Sequence, residues 1–145
     1  MKVIIINGPN LNLLGRRETD IYGDLTFEEF YETLVEKYPT LELSYYQSNI
    51  EGELIDKLQE VGYAYDGIIL NAAAYTHTSV AIYDALKTLD IPIAEVHLTN
   101  VYSRESFRHS LLTAQAASII MSGLGKDSYH YAANALNEYI HRGIK

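Results

Sequence analysis

At 145 residues, 48% of them hydrophobic and 21% charged, the chain has the size of one ordinary domain. Such a domain buries roughly 70% of its unfolded surface and needs no disulfide or metal staple. The absence of Cys excludes disulfide frameworks, thiolate zinc sites, iron–sulfur ligation and cysteine nucleophiles, and the net charge of −8 argues against a nucleic-acid partner but not against a small anionic substrate held by a local arginine cluster.

The first apolar run, Val3 to Ile6, is short and β-branched, as expected of a strand covered on both faces in a parallel sheet. Asn7-Gly8-Pro9-Asn10 breaks it well before the ~7–15 apolar residues of a signal h-region. No run approaches the ~18–20 residues that cross a bilayer, so the expectation is a cytoplasmic chain with no membrane partner. The segment from Asn7 to Gly23 contains Asn10, Arg16, Arg17 and Tyr22 but neither GxGxxG nor GK[ST]. It is too long for an ordinary βα turn, which points to a functional loop, although a solvated surface loop is the plainer alternative.

Thr26 to Tyr38 reads as a helix, with Phe27, Phe30, Tyr31, Leu34, Val35 and Tyr38 on one face, Thr26 and Glu29 as a capping box, and Pro39 after its end. Leu41 to Tyr46 is a second strand. Leu54, Ile55, Leu58 and Val61 mark a second helix that stops at Gly62, and Gly67 to Leu70 is a third strand. The following Asn71 to Ser79 segment offers Asn71 and His77 as polar anchors among small Ala residues; alternatively Thr76, Thr78 or Ser79 only caps the next helix and His77 lies on its surface. That helix covers about Thr78 to Leu89, and Ile91 to Val96 is the fourth strand. Beyond it stand His97, the amides of Leu98 and Thr99, and Arg104 and Arg108 at i, i+4, a face suited to carboxylate or polyhydroxyl recognition or simply to solvent. Ala117 to Met121 is a fifth strand, and a last helix runs from Asp127 to Arg142, stopping at Gly143.

Strands alternating with helices mean βαβ units and a parallel sheet. Five strands with about five helices, no repeat and no linker predict a single domain over 1–145: an α/β, flavodoxin-like, doubly wound five-stranded parallel sheet. In such sheets a ligand sits beyond the carboxyl ends of the strands at the switch point, and three modest polar signals fall on that rim.

Several ordered blocks resemble type II 3-dehydroquinate dehydratase: Asn7-Gly8-Pro9-Asn10-Leu11-Asn12 with Leu14-Gly15-Arg16-Arg17 and Tyr22-Gly23, Gln47-Ser48-Asn49 with Glu51-Gly52-Glu53, Ala74-Tyr75-Thr76-His77-Thr78-Ser79, and Glu95-Val96-His97-Leu98-Thr99-Asn100 with Arg104 through Arg108. The resemblance spans essentially the whole chain. It implies anti elimination of water from 3-dehydroquinate through an enolate, in the shikimate or quinate pathway, with no metal, Schiff base or other cofactor. It implies Tyr22 as the base, Arg17 as the group keeping it ionised, His97 as the acid and Asn10 as a holder of the enolate. Asn71, His77, Leu98, Thr99 and Arg108 match substrate contacts, and Asp84 matches a residue reaching the site from a neighbouring subunit of a homo-oligomer, a dodecamer built of trimers. The chain departs from the family pattern at Ala72, at Tyr83 where Arg is frequent, and after Arg108, where Phe107-Arg108-His109-Ser110 is one residue shorter than usual.

The implied chemistry is physically reasonable. A phenol of pKa about 10 brought to roughly 7–8 needs some 3–4 kcal/mol in favour of tyrosinate, which one or two guanidiniums such as Arg17 and Arg104 can supply in a desolvated site. An acid at His97 needs a neighbour to hold its proton, and Glu95, two residues back on the same strand face, is placed for that. His77, His97, His109, His130 and His141 lie on different elements, and no Lys is an obvious imine former, so no metal or Schiff base is expected. The rivals are a flavin or nucleotide binder, disfavoured by the missing Gly-rich phosphate turn, and a non-catalytic protein retaining the fold.

Overall fold

The five apolar runs form five parallel strands: β1 (Lys2–Asn7), β2 (Glu42–Gln47), β3 (Gly67–Asn71), β4 (Ile93–His97) and β5 (Ile119–Ser122), in the order β2-β1-β3-β4-β5. The structure is a computed structural model and describes residues 1–16 and 24–143. β1, β3 and β4 are buried on both faces apart from exposed Lys2, which explains their uninterrupted apolar composition. Alternate residues of β1 therefore enter different cores. Val3 and Ile5 pack with Phe27, Phe30 and Leu34 of α1 (Phe27–Lys37) and with Tyr129, Ala132 and Leu136 of α4 (Asp127–His141). Ile4 and Ile6 pack with Leu54, Leu58 and Val61 of α2 (Glu51–Val61) and with Ile82 and Leu86 of α3 (Val80–Lys87).

Local rules place the helix starts. The Thr26 side chain accepts from the Glu29 N–H while the Glu29 carboxylate accepts from the Thr26 N–H, closing the expected capping box on α1. Ser79, among the three candidates, caps α3 by accepting from the Ile82 N–H at 2.9 Å. Gly62 does end α2, but in the right-handed region and not in a left-handed turn; a Cβ there would stand 2.6 Å from the end of the Leu89 side chain, which would have to shift.

Two expectations change. Four α-helices appear among the described residues, and the chain between β4 and β5 forms three short 3-10 turns (Val101–Ser103, Ser106–His109 and Thr113–Ala116). Arg104 and Arg108 thus do not share one α-helical face; Arg104 ends the first turn and Arg108 lies in the second. Likewise Ala73–His77 is a separate 3-10 turn before α3. The two regions are tied to each other, the Ser110 carbonyl accepting from His77 and the Leu112 N–H donating to the Thr76 carbonyl.

The strand order reverses between β1 and β3, whose last residues, Asn7 and Asn71, are register partners. As the chain leaves β1 it passes directly over β3: the Gly8 N–H donates to the Asn71 carbonyl at 2.7 Å, and a Cβ on Gly8 would lie 2.6 Å from the Ala72 carbonyl oxygen. Only glycine allows that approach, and it opens the crevice at the switch point.

Candidate active site

A cavity of about 220 Å³ lies beyond the carboxyl ends of β1, β3 and β4. It suits a small substrate, being smaller than the ~300–1,000 Å³ of typical drug-sized sites. Asn10, Asn71, His77, His97, Leu98, Thr99 and Arg108 all line it, as do Arg104 and the backbone-exposing Ala73 and Ala74. Asp84 is exposed on α3 and is not among the lining residues. Arg17 and Tyr22 lie outside the described residues.

His97 closes β4. Its Nε2 meets Glu95 Oε1 at 2.8 Å, and Glu95 is completely buried. A carboxylate taken out of water needs a cation or a proton beside it. The imidazole is the titratable partner within hydrogen-bond reach, so the pair can hold a proton between them while the other ring nitrogen remains for chemistry. The alternation of a strand puts residues 95 and 97 on the same face, which made this pair readable in advance. The β5–α4 connection pins the exit of β4: Gly123 N–H donates to the His97 carbonyl at 3.1 Å and Gly125 N–H to the Leu98 carbonyl at 2.8 Å.

His77, last residue of its 3-10 turn, bonds through Nδ1 to the Ser110 carbonyl at 2.8 Å. A carbonyl only accepts, so Nδ1 carries the hydrogen and Nε2 is left as an acceptor toward a ligand. Arg104 donates to Thr99 Oγ1 at 3.2 Å, and Arg108 Nε donates to Glu105 Oε2 at 2.8 Å. Glu105 also lies 3.6 Å from Arg104 Nε. Its own backbone N–H, then Arg108, holds this exposed carboxyl below the ordinary range. The arginines therefore reach the cavity as a cluster tied by one carboxylate, which a substrate oxygen has to match or displace.

Among the described residues, two non-glycine residues have positive φ, Asn10 at 68° and Ala73 at 52°, and both line the cavity. Such conformations cost about 1–3 kcal/mol and persist where surrounding bonds over-determine them. The Asn10 N–H donates to Asn49 Oδ1 at 3.0 Å, an atom that also accepts from Gln47 Nε2 at 3.1 Å. Gln47 Nε2 donates in addition to the Gly8 carbonyl at 3.2 Å. The Gln47-Ser48-Asn49 block, assigned no role from the sequence, thus clamps the loop that presents Asn10. Ala73 N–H donates to Asn71 Oδ1 at 3.1 Å. Sequence reasoning missed these clamps; an Asn at a strand end (Asn71) or just beyond one (Asn49) was the signal available.

Among the described residues no group of three or more His, Asp or Glu could hold a metal ion, and no helix is long and apolar enough to cross a membrane. Residues 1–137 match the family described as dehydroquinase class II. The chain is 50% identical over 143 residues to a 3-dehydroquinate dehydratase from Clostridium perfringens, covering 97% of this chain and 98% of that one. It is 46% identical to one from Prochlorococcus marinus, covering 98% and 99% respectively. Among solved structures, a type II dehydroquinase from Butyrivibrio crossotus superposes with a TM-score of 0.90 at 44% identity, covering 94% of this chain and 97% of that one.

Proposed function

The chain belongs to the class II dehydroquinases and catalyses the dehydration of 3-dehydroquinate, and we propose that the cavity beyond β1, β3 and β4 is where this happens. The observation that carries the site is the His97–Glu95 pair, a ring held against a fully buried carboxylate at the cavity wall. In this reading Tyr22, kept ionised by Arg17, removes the C2 proton, and the electron pair of that C–H bond moves into an enolate at the C3 carbonyl. Asn10 holds the enolate, through water. As the enolate collapses, a C1=C2 double bond forms, the C1–O bond breaks, and His97 delivers its proton to the departing hydroxyl as water. Glu95 balances the charge of the imidazolium until then. Asn71, His77 and Arg108 contact the hydroxyls, and the amides of Leu98 and Thr99 receive the carboxylate. No metal, imine or other cofactor takes part. The reaction serves the shikimate or quinate pathway in the cytoplasm.

The test is to follow the conjugated enone absorbance on mixing purified protein with 3-dehydroquinate. Tyr22→Phe should keep substrate binding and lose at least 10²–10⁴-fold in turnover, the usual cost of removing a proton-transfer group. Near-normal turnover would assign the base to another residue. Activity should survive chelator, and survive borohydride added with substrate.

The assembly proposed is a homo-oligomer, a dodecamer of trimers, in which Asp84 completes a neighbour's site. Its exposure on α3 outside its own cavity supports this, as does exposed Val80 on the same helix. Inactive Asp84→Ala and inactive Tyr22→Phe chains, dissociated and reassembled together, should recover part of the activity. Hybrids that form and stay inactive would exclude a shared site.

A further inference from the structure

Behind the cavity wall, three polar side chains from three distant elements meet in a space closed to solvent. Tyr129, in the first turn of α4, is completely buried; its hydroxyl donates to Asn7 Oδ1 at 2.8 Å and accepts from Asn71 Nδ2 at 3.0 Å. Asn71 Oδ1 in turn accepts from the Ala73 N–H. The direction of this chain is forced. The Ala73 N–H can only donate, so the oxygen of the Asn71 amide must face it and the nitrogen must face Tyr129. The phenol oxygen is then used as acceptor, and its hydrogen goes to the Asn7 carbonyl oxygen. Burial keeps the phenol protonated well above its ordinary range, so that hydrogen is present at any working pH.

Asn71 lines the cavity and Tyr129 does not. One N–H of the Asn71 amide is spent on Tyr129, and the second is left for a ligand. The Ala73 N–H sets which way the amide faces, and the hydroxyl anchors its nitrogen end; without the hydroxyl the Ala73 bond alone holds the side chain, and its second N–H is free to turn away from the cavity. We propose that Tyr129 is a positioning residue for substrate binding: it anchors the nitrogen of the Asn71 amide, whose facing the Ala73 N–H sets, so that the second N–H stays aimed at a substrate hydroxyl or carbonyl. This rests on the reading that 3-dehydroquinate occupies this cavity.

Tyr129→Phe is the probe, because the ring stays in its aromatic cluster, with Phe27 at 5.0 Å between centroids. KM for 3-dehydroquinate should rise roughly tenfold, the scale of one misdirected buried hydrogen bond, with kcat changed by less than about twofold. In an Asn71→Ala background the same substitution should leave KM where Asn71→Ala put it, since the relay ends at that amide. A lowered melting temperature with unmoved KM would make Tyr129 a core residue only. An equal KM rise in both backgrounds would route its effect through something other than Asn71. Either result overturns the inference while the wild type still turns over 3-dehydroquinate; a wild type without turnover overturns the functional reading and this inference with it. Should Tyr129→Phe fail to fold, Tyr129→4-fluorophenylalanine fills the volume of the hydroxyl without its hydrogen bonds and is carried through the same cycle with the same deciding outcomes.

Discussion

The tyrosine hydroxyl on the flank of α1 and the one at the strand rim are satisfied in opposite ways. On the flank, Tyr31 of α1 donates to the carbonyl of Leu43 on the edge strand β2 at 2.8 Å, 12 residues away, and stays half-buried. At the rim, Tyr129 joins Asn7, 122 residues away, to Asn71, with no exposure at all. Both bonds are good by distance. The flank bond can be exchanged for water, so losing it costs little. The rim bonds have no such substitute, and each broken one leaves a buried polar atom unpaired, at about 1–3 kcal/mol. Polar groups placed where they are that expensive to disturb coincide with the cavity, while those on the flank serve only the fold.

The sharpest test of that contrast is at β4. His97→Ala should lower kcat by about 10²–10⁴-fold, and Glu95→Gln by a smaller factor, since the ring stays but its charge partner goes. Glu95→Gln also removes a buried charge, so its melting temperature should hold or rise while turnover falls. A proportionate loss of both would show that the pair is structural.

Alkaline stability separates the regions next. Burial raises the phenol of Tyr129 far above its ordinary value and pushes Tyr45 up to about 12, with partial opposition from Asn7. A raised folded-state value means that the unfolded chain gives up these protons first. The stability they carry is complete below pH ~10 and is lost as pH rises beyond it, by at most about 1.4 kcal/mol per pH unit for each phenol and over a shorter pH range for Tyr45 than for Tyr129. Denaturant titrations between neutral and strongly alkaline pH should show this limb, and Tyr129→Phe should flatten it.

The smallest expected effect is on the flank. Thr26→Ala opens the capping box and should cost about 1 kcal/mol in urea unfolding without moving KM. Its partner Glu29 is held below the ordinary carboxyl value chiefly by the Thr26 N–H, so the cap's contribution is present above that ordinary value and fades as pH falls through the lowered one. A shift in KM on Thr26→Ala would erase the distinction between the two regions.

The amino-acid sequence by itself determined whatever depends on near neighbours. The run Val3 to Ile6 reads as a doubly covered strand, Thr26 with Glu29 as a helix start, and Glu95 with His97 as one face of a strand, because each follows from a period or a cap within a few residues. The alternation of such elements was enough for the parallel sheet and for the rim where the cavity lies. Only the tertiary structure decided how that rim is held. The chain from 101 to 116 turns in 3-10 steps, against the helical spacing of its two arginines, and is tied to another loop where the Ser110 carbonyl accepts from His77 and the Leu112 N–H donates to the Thr76 carbonyl. Asn10 and Ala73 take left-handed backbones because Asn49 and Asn71 accept their N–H groups. Asn7 and Tyr129 stand at opposite ends of the chain, and no local pattern announces that burial will make each the other's partner.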